Sequence, residues 1–219
     1  MPMPHSDRPR DVSRWLRDHF IGSFINEGHP AHWPPEMGFF AIPLLSLTYA
    51  NAAAALLLSR SQASSLETID FLAAELGRNR APSYRRYRAY PTLLYTLFRH
   101  GLVHRRAPGQ LKVKAHDGTF VTVGWQLHRS TPRKDHLRLF RPGELFNGRR
   151  LGPAQFALSI SVDLLFRDTL GALRHIRTRV SQNSRLARQV YRGVALLEGP
   201  RRPVDKRTTE PQLAAELTP

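Results

Sequence analysis

Residues 37–59 contain no charged side chain, and a stretch of this length must either be buried in protein or cross a membrane. Pro43, Asn51 and the weakly apolar alanines at 52–55 argue against a membrane span, and no other part of the chain resembles a second one. A helix that is apolar on all sides can also form the centre of a soluble bundle. We therefore expect burial and no membrane partner, and a membrane-associated protein remains the alternative.

The N-terminal half of the chain has the periodicity of amphipathic helices. Helical segments are predicted at about 11–25, 36–60, 65–77 and 90–104. Asp11 can cap the first helix, and Ser64 or Ser65 can cap the third. Gly101 weakens the fourth helix near its end.

The pattern changes after residue 110. Residues 111–115 and 119–128 alternate between apolar and polar side chains and are joined by an Asp-Gly turn, which predicts a β-hairpin. Residues 136–140 can add a third strand, and a helical period returns at about 153–177 and 183–197. These patterns predict a mainly α protein, a helical bundle of about six helices with a small β-hairpin or three-stranded insertion.

The two ends of the chain differ in composition from its centre. Residues 1–10 and 199–219 are polar, charged or rich in proline, which is typical of disordered termini. Between them we predict a single helical domain over 11–198, with the β insertion at about 110–141.

The charge balance favours a polyanionic partner. Lysine and arginine number 33 against 17 acidic residues, which gives a formal net charge of +16. Nucleic acid is the first expectation for such a chain and an anionic membrane surface the second, and an acidic protein such as an antitoxin is a further possible partner. The absence of cysteine excludes disulfides, thiolate metal sites and cysteine nucleophiles. The polar N-terminus lacks the apolar stretch of a signal peptide, so a cytoplasmic location is expected.

One short stretch combines arginine and histidine near a loosened helix end. Arg99 and His104 lie five residues apart, a spacing that turns two helical side chains about 140° away from each other. Gly101 between them loosens the helix, so that both can reach one site. The stretch Tyr95–His104, with its Arg-His-Gly-Leu-Val-His ending, resembles the signature of the HEPN superfamily of helical-bundle ribonucleases.

The resemblance implies a function and an assignment of roles. HEPN ribonucleases need no metal or cofactor and cleave RNA through its 2′-hydroxyl, leaving a 2′,3′-cyclic phosphate and a 5′-hydroxyl. His104 would be the general acid and base, Arg99 would stabilise the charge at phosphorus, and His100 would orient or assist. Family members pair two motifs across a dimer, so a homodimer is implied. Bacterial members commonly serve in antiviral defence, toxin systems or stress responses.

Two other interpretations of the motif remain open. Arg99 and His104 can simply interact with the carbonyl end of the helix, where cations are favoured. Some HEPN-like proteins also lack nuclease activity, so the chain can be a non-catalytic nucleic-acid-binding or assembly subunit of a larger complex.

A basic aromatic stretch precedes the motif helix and is the first candidate for RNA docking. Tyrosines can stack on unpaired bases while arginines hold the phosphates. The predicted RNA-binding residues are Tyr84, Arg85, Arg86, Tyr87 and Arg88, together with Arg105 and Arg106 after the motif. The alternative is a solvated basic segment whose tyrosines pack on the bundle.

Other constellations predict no further chemistry. His29 and His32 have a spacing that can suggest a metal, but no acidic set completes it, and we expect no metal site. No nucleophile elbow, Walker loop or dinucleotide fingerprint occurs. The arginines at 149–150 and 174–192 are interpreted as solvated surfaces, although the C-terminal helix pair can line a positive groove.

Overall fold

The computed structural model describes residues 3–34, 38–78, 82–100, 110–114, 119–129 and 132–198. The helices are α1 (Pro9–Trp15), α2 (Gly22–Gly28), α3 (Gly38–Leu58), α4 (Ser65–Glu75), α5 (Pro82–Ala89), α6 (Pro91–Leu94), α7 (Val162–Gln182) and α8 (Ser184–Glu198). π-Helical turns at Leu16–Ile21 and Tyr95–His100 continue α1 and α6. The strands are β1 (Leu111–Lys114), β2 (Phe120–His128), β3 (Arg138–Phe140), β4 (Leu145–Phe146), β5 (Arg149–Arg150) and β6 (Gln155–Ser161).

The prediction of a mainly α bundle with a small β insertion was wrong, because the protein is an α+β fold. Four strands form a mixed sheet in the order β1-β2-β6-β3, and β4 pairs with β5 in a second sheet. Strand β2 is antiparallel to β1, as expected for the hairpin, but it is parallel to β6. The sheet therefore depends on a strand far along the chain and is not a local insertion.

Strand β6 is where the sequence interpretation failed. Residues 155–161 were assigned to the start of a helix at about 153, whereas the helix begins only at Val162. Phe156, Leu158 and Ile160 alternate with Gln155, Ala157, Ser159 and Ser161, which is the period of a strand, although residues 157–161 are all buried. The alternation is short and continues without glycine or proline into the helical pattern that follows, so the helical period hides it. The Ser161 hydroxyl accepts a hydrogen bond from the Leu164 N–H (3.3 Å) and caps α7 at this point.

Helix α3 lies at the centre of the helical part. Ile42, Leu47, Ala50 and Leu56 are almost completely buried, and α3 packs against α7 and α8. Among the described residues, one helical stretch, Phe39–Leu58, is long and apolar enough to cross a membrane. Because 56% of that stretch is buried inside the protein, it also has the surroundings of a core helix.

The sheet meets the helices through aromatic side chains. The Trp125 ring on β2 lies edge-on to Phe40 of α3 and to Phe98 of the second π-helical turn, with centroids 5.8 and 6.2 Å apart. The turn that carries the start of the motif is thus packed between the sheet and α3.

Candidate functional site

The motif begins in a firmly anchored π-helical turn. Pro91 occupies the first turn of α6, where its missing N–H costs no hydrogen bond, and the chain continues into Tyr95–His100. Leu94, Leu97 and Phe98 are completely buried. A π-helical turn widens the backbone spacing and frequently occurs at functional sites. The buried side chains of the turn therefore hold the backbone of Arg99 and His100 in place.

The predicted catalytic residues are only partly described. The backbone of Arg99 and His100 ends the π-helical turn, while their side chains lie outside the described structure. His104, Arg105 and Arg106 lie entirely outside the described residues. The pairing of Arg99 with His104 therefore stays a prediction from the sequence.

Helix α5 separates the predicted RNA-binding residues into different environments. Arg85 and Arg88 are exposed, and neither has a carboxylate partner in the described part of the chain. The half-buried Arg86 donates hydrogen bonds to the carbonyls of Lys134 and His136, the second at 2.8 Å. The side chain of Tyr84 lies outside the described structure.

Tyr87 lies in the core and not on the surface of α5. Its side chain has 0% exposure, so in this conformation its ring offers no face on which a base could stack. Its hydroxyl instead lies 2.8 Å from His136 Nε2 and donates to Asp168 Oδ2 at 3.0 Å. The two terminal nitrogens of Arg133 donate hydrogen bonds to the two carboxylate oxygens of Asp168, at 2.8 and 2.9 Å. We call Tyr87, His136, Asp168 and Arg133 the buried tetrad.

The hydrogen bonds determine the protonation state of His136. The backbone N–H of Ser161 donates to His136 Nδ1 at 3.1 Å, so this nitrogen must carry a lone pair. In the neutral ring the proton is then on Nε2, where it is donated to the Tyr87 oxygen. Burial, and next the positive charge of Arg133, lowers the pKa of His136 from 6.5 to about 3.

The tetrad positions a surface helix. Because its pKa is lowered to about 3, His136 is neutral at pH 7 and a weak base, which suits it poorly to acid–base catalysis there. The four side chains tie α5 to α7 and to the segment before β3, which leaves Arg85 and Arg88 facing solvent. Beside the tetrad, His128 Nε2 lies 2.7 Å from the Ser159 hydroxyl, and burial also lowers the pKa of His128.

The residues described here provide no group of three or more metal-ligating side chains. His29 and His32 lie close together, with ring centroids 5.3 Å apart. His29 Nδ1 accepts the Ala31 N–H at 3.2 Å, and His32 Nδ1 is 3.1 Å from the Asn26 carbonyl. Both rings thus help to close the turn after α2.

Comparison of the chain with protein-family models, with curated proteins and with solved structures gives no match. The HEPN resemblance therefore stays a prediction that depends on residues 95–104.

Sequence reasoning missed three members of the tetrad. Arg133 and His136 follow strand β2 and Asp168 is in α7, so their meeting depends on the fold and not on local spacing. Asp168 is a charged residue in an amphipathic helix, which by itself indicates a solvated position. The only local sign was Tyr87 itself, an aromatic residue with a polar tip that needs a partner when buried.

Proposed function

We propose that this protein is a metal-independent endoribonuclease that acts on single-stranded RNA in the cytoplasm. The observation that carries the proposal is the Arg99-His100 pair at the end of the anchored π-helical turn, followed in the sequence by Gly101 and His104. Arg85 and Arg88 on α5 are exposed and have no carboxylate partner among the described residues, which supports a nucleic-acid substrate. By analogy with HEPN proteins, a role in defence, toxin or stress response is part of the proposal.

The chemistry of the side chains suits this reaction. His104 removes the proton of the RNA 2′-hydroxyl, whose oxygen attacks phosphorus, and the bond from phosphorus to the 5′-oxygen breaks. A protonated histidine returns a proton to that leaving oxygen, so the products are a cyclic phosphate and a 5′-hydroxyl. Arg99 stabilises the additional negative charge at phosphorus, for which a planar guanidinium is well shaped. His100 orients the phosphate, and a second copy of the chain completes the cleft.

A non-catalytic RNA-binding subunit is the second candidate. The observation that favours it is the weak basicity of the histidine in the buried tetrad, since burial and the charge of Arg133 lower the pKa of His136 to about 3. The described basic surface of α5 consists of arginines, which bind phosphate but do not move protons.

Replacement of His104 by alanine tests the proposal. Purified protein is incubated in EDTA with a mixed-sequence single-stranded RNA, and the ends of the products are sequenced. Wild type should leave cyclic phosphate ends, and His104→Ala should reduce the rate about 10²–10⁴-fold, which is the usual contribution of acid–base catalysis. The matched control is His32→Ala, which removes an exposed histidine from the turn after α2 and should cleave like wild type.

The possible results distinguish the ribonuclease from the binding subunit. Equal cleavage by wild type and His104→Ala would refute the assignment of His104. Binding of RNA without cleavage by any variant would refute the ribonuclease and favour the binding subunit.

A further inference from the structure

A second basic surface is formed by residues that belong neither to α5 nor to the motif. It is a cleft of about 580 Å³ between the α1 end of the chain and the C-terminal half of α7. We call it the arginine cleft, and its lining residues are Arg10, Ser13, Arg14, Arg17, Arg177 and Ser181.

Helical spacing builds one wall of the cleft. Arg10, Arg14 and Arg17 follow one another at intervals of four and three residues, so they lie on one face of the helix. Val12 and Trp15 lie on the opposite face and are buried against the core. Since α1 packs directly on α7, the spacing between the walls is fixed by apolar contacts and the cleft is formed before any ligand binds.

The second wall comes from the last turns of α7. Arg177 and Ser181 are four residues apart and therefore neighbours on the helix surface. Asp168 of the buried tetrad lies nine residues before Arg177, which corresponds to about 13 Å along the helix axis. Nine residues also turn the helix by about 180°, so Arg177 projects from the side of α7 opposite to Asp168.

The four arginines of this cleft outnumber the carboxylates beside it, which are Asp11 and Asp18, both close enough to Arg14 for its charge to help lower their pKa. Asp18 forms an ion pair with Arg17 at 2.6 Å. No ion pair of Arg10, Arg14 or Arg177 is found among the described residues, and no carboxylate lines the cleft. Guanidinium groups held side by side repel one another unless an anion lies between them.

We propose that the arginine cleft binds the phosphodiester backbone of single-stranded RNA. Guanidinium groups bind phosphate through two parallel hydrogen bonds, and the Ser13 hydroxyl adds a neutral donor, whereas the Ser181 hydroxyl donates to the Thr178 carbonyl at 2.7 Å. No aromatic side chain lines the cleft, so it contacts phosphates without reading bases. An anionic membrane fits less well, because a membrane-binding surface presents apolar side chains that this cleft lacks. The inference rests on the proposed RNA substrate and extends it to a site distinct from the motif.

The test measures RNA binding separately from cleavage. All proteins carry His104→Ala, and a fluorescently labelled mixed-sequence single-stranded RNA is titrated at several salt concentrations. The test variant is Arg14→Ala with Arg177→Ala, which removes one arginine from each wall. The matched control is Arg188→Ala with Arg192→Ala, which removes the same charge from exposed positions of α8 outside the cleft.

The cleft variant should bind RNA at least tenfold more weakly than its parent, since two charge-assisted contacts are lost. The slope of log affinity against log salt should fall by about 1.4, because each phosphate contact on a single strand contributes about 0.7. The control variant should keep the parent's salt slope. Urea unfolding of both variants checks that the fold is intact.

Equal weakening in the two double variants would overturn the proposal, because net charge alone would then explain binding. So would unchanged binding in the cleft variant, or arginine-dependent binding to vesicles of anionic phospholipid without binding to RNA. Cleft-dependent RNA binding by a protein that never cleaves RNA would refute the ribonuclease but support the cleft.

Discussion

Because His136 is buried in the tetrad, the free energy of unfolding of this protein should decrease at low pH. His136 is completely buried, and both of its ring nitrogens are engaged by Tyr87 and Ser161 while the ring is neutral. Protonation would turn the acceptor Nδ1 into a donor facing the Ser161 N–H, and it would place a charge beside Arg133. The folded protein therefore resists protonation, whereas the unfolded chain does not.

The size of the effect follows from the two pKa values. The pKa of His136 is about 3 in the folded protein and 6.5 in the unfolded chain. Between these values the unfolded state binds one more proton, so the free energy of unfolding falls as the pH falls from about 6.5 towards 3. Between pH 7 and pH 5 the loss amounts to about 2 kcal/mol, and it depends only on the folded pKa being well below 5.

Equilibrium unfolding in urea at pH 7, 6 and 5 measures this loss. His136→Asn keeps an acceptor near the Ser161 N–H and removes the titration, so its free energy of unfolding should lose about 2 kcal/mol less than wild type over this range. His32→Asn replaces an exposed histidine and should follow the wild-type profile. Parallel profiles for wild type and His136→Asn between pH 7 and pH 5 would refute the inference that His136 is held neutral.

Two further predictions concern packing and the tetrad. A Cβ at Gly193 would lie 2.8 Å from Leu56 Cα, so Gly193→Ala should reduce the free energy of unfolding by about 1–3 kcal/mol. Gly171 faces open space, so Gly171→Ala should raise the free energy of unfolding by about 0.5–1 kcal/mol. Urea unfolding measures both variants, and a shift of both in the same direction would contradict this prediction. Tyr87→Phe leaves the His136 Nε2–H without its acceptor, so it should cost about 1–3 kcal/mol in the same assay, and an unchanged stability would show that the hydrogen bond contributes nothing.

Several features set by neighbouring residues were predicted well from the sequence, but the Asp11 cap was wrong, since α1 begins at Pro9 after Arg8 and Asp11 lies within its first turn. Ser64 caps α4 as expected, and Glu67 completes a capping box by reaching back to the Ser64 N–H at 2.7 Å. The strand pairing of residues 111–114 with 120–123 is present, as the alternating pattern and the Asp-Gly turn indicated. Such features depend on spacings of two to four residues, which the sequence displays directly.

Features set by distant contacts were not predictable in the same way. Strand β6 is short and runs directly into the helical pattern of α7, which hides its period of two, and its partner β2 lies some thirty residues earlier. The buried tetrad combines residues from α5, from the segment before β3 and from α7. Tyr87 illustrates the difficulty, because an alternation of tyrosine and arginine suits both an RNA-binding surface and a helix with one buried face. Burial, which the sequence does not show, separates the two.

The distribution of charge gives a reason to connect the arginine cleft with a ligand and not with the fold. Several carboxylates of the described chain already have an arginine partner, in the pairs Asp18–Arg17, Glu67–Arg60, Glu75–Arg179, Glu144–Arg138 and Asp168–Arg133. In the described part of the chain, the cleft brings together three arginines for which no ion pair is found, Arg10, Arg14 and Arg177. A coding bias can explain why arginine is used in place of lysine, but it does not explain why Arg14 and Arg177 face each other across a cleft that no carboxylate lines. Since these side chains project away from the core, packing does not require a cation at either position, and their mutual repulsion opposes folding. An anionic partner that binds between Arg14 and Arg177 accounts for the presence of these two cations and relieves their mutual repulsion.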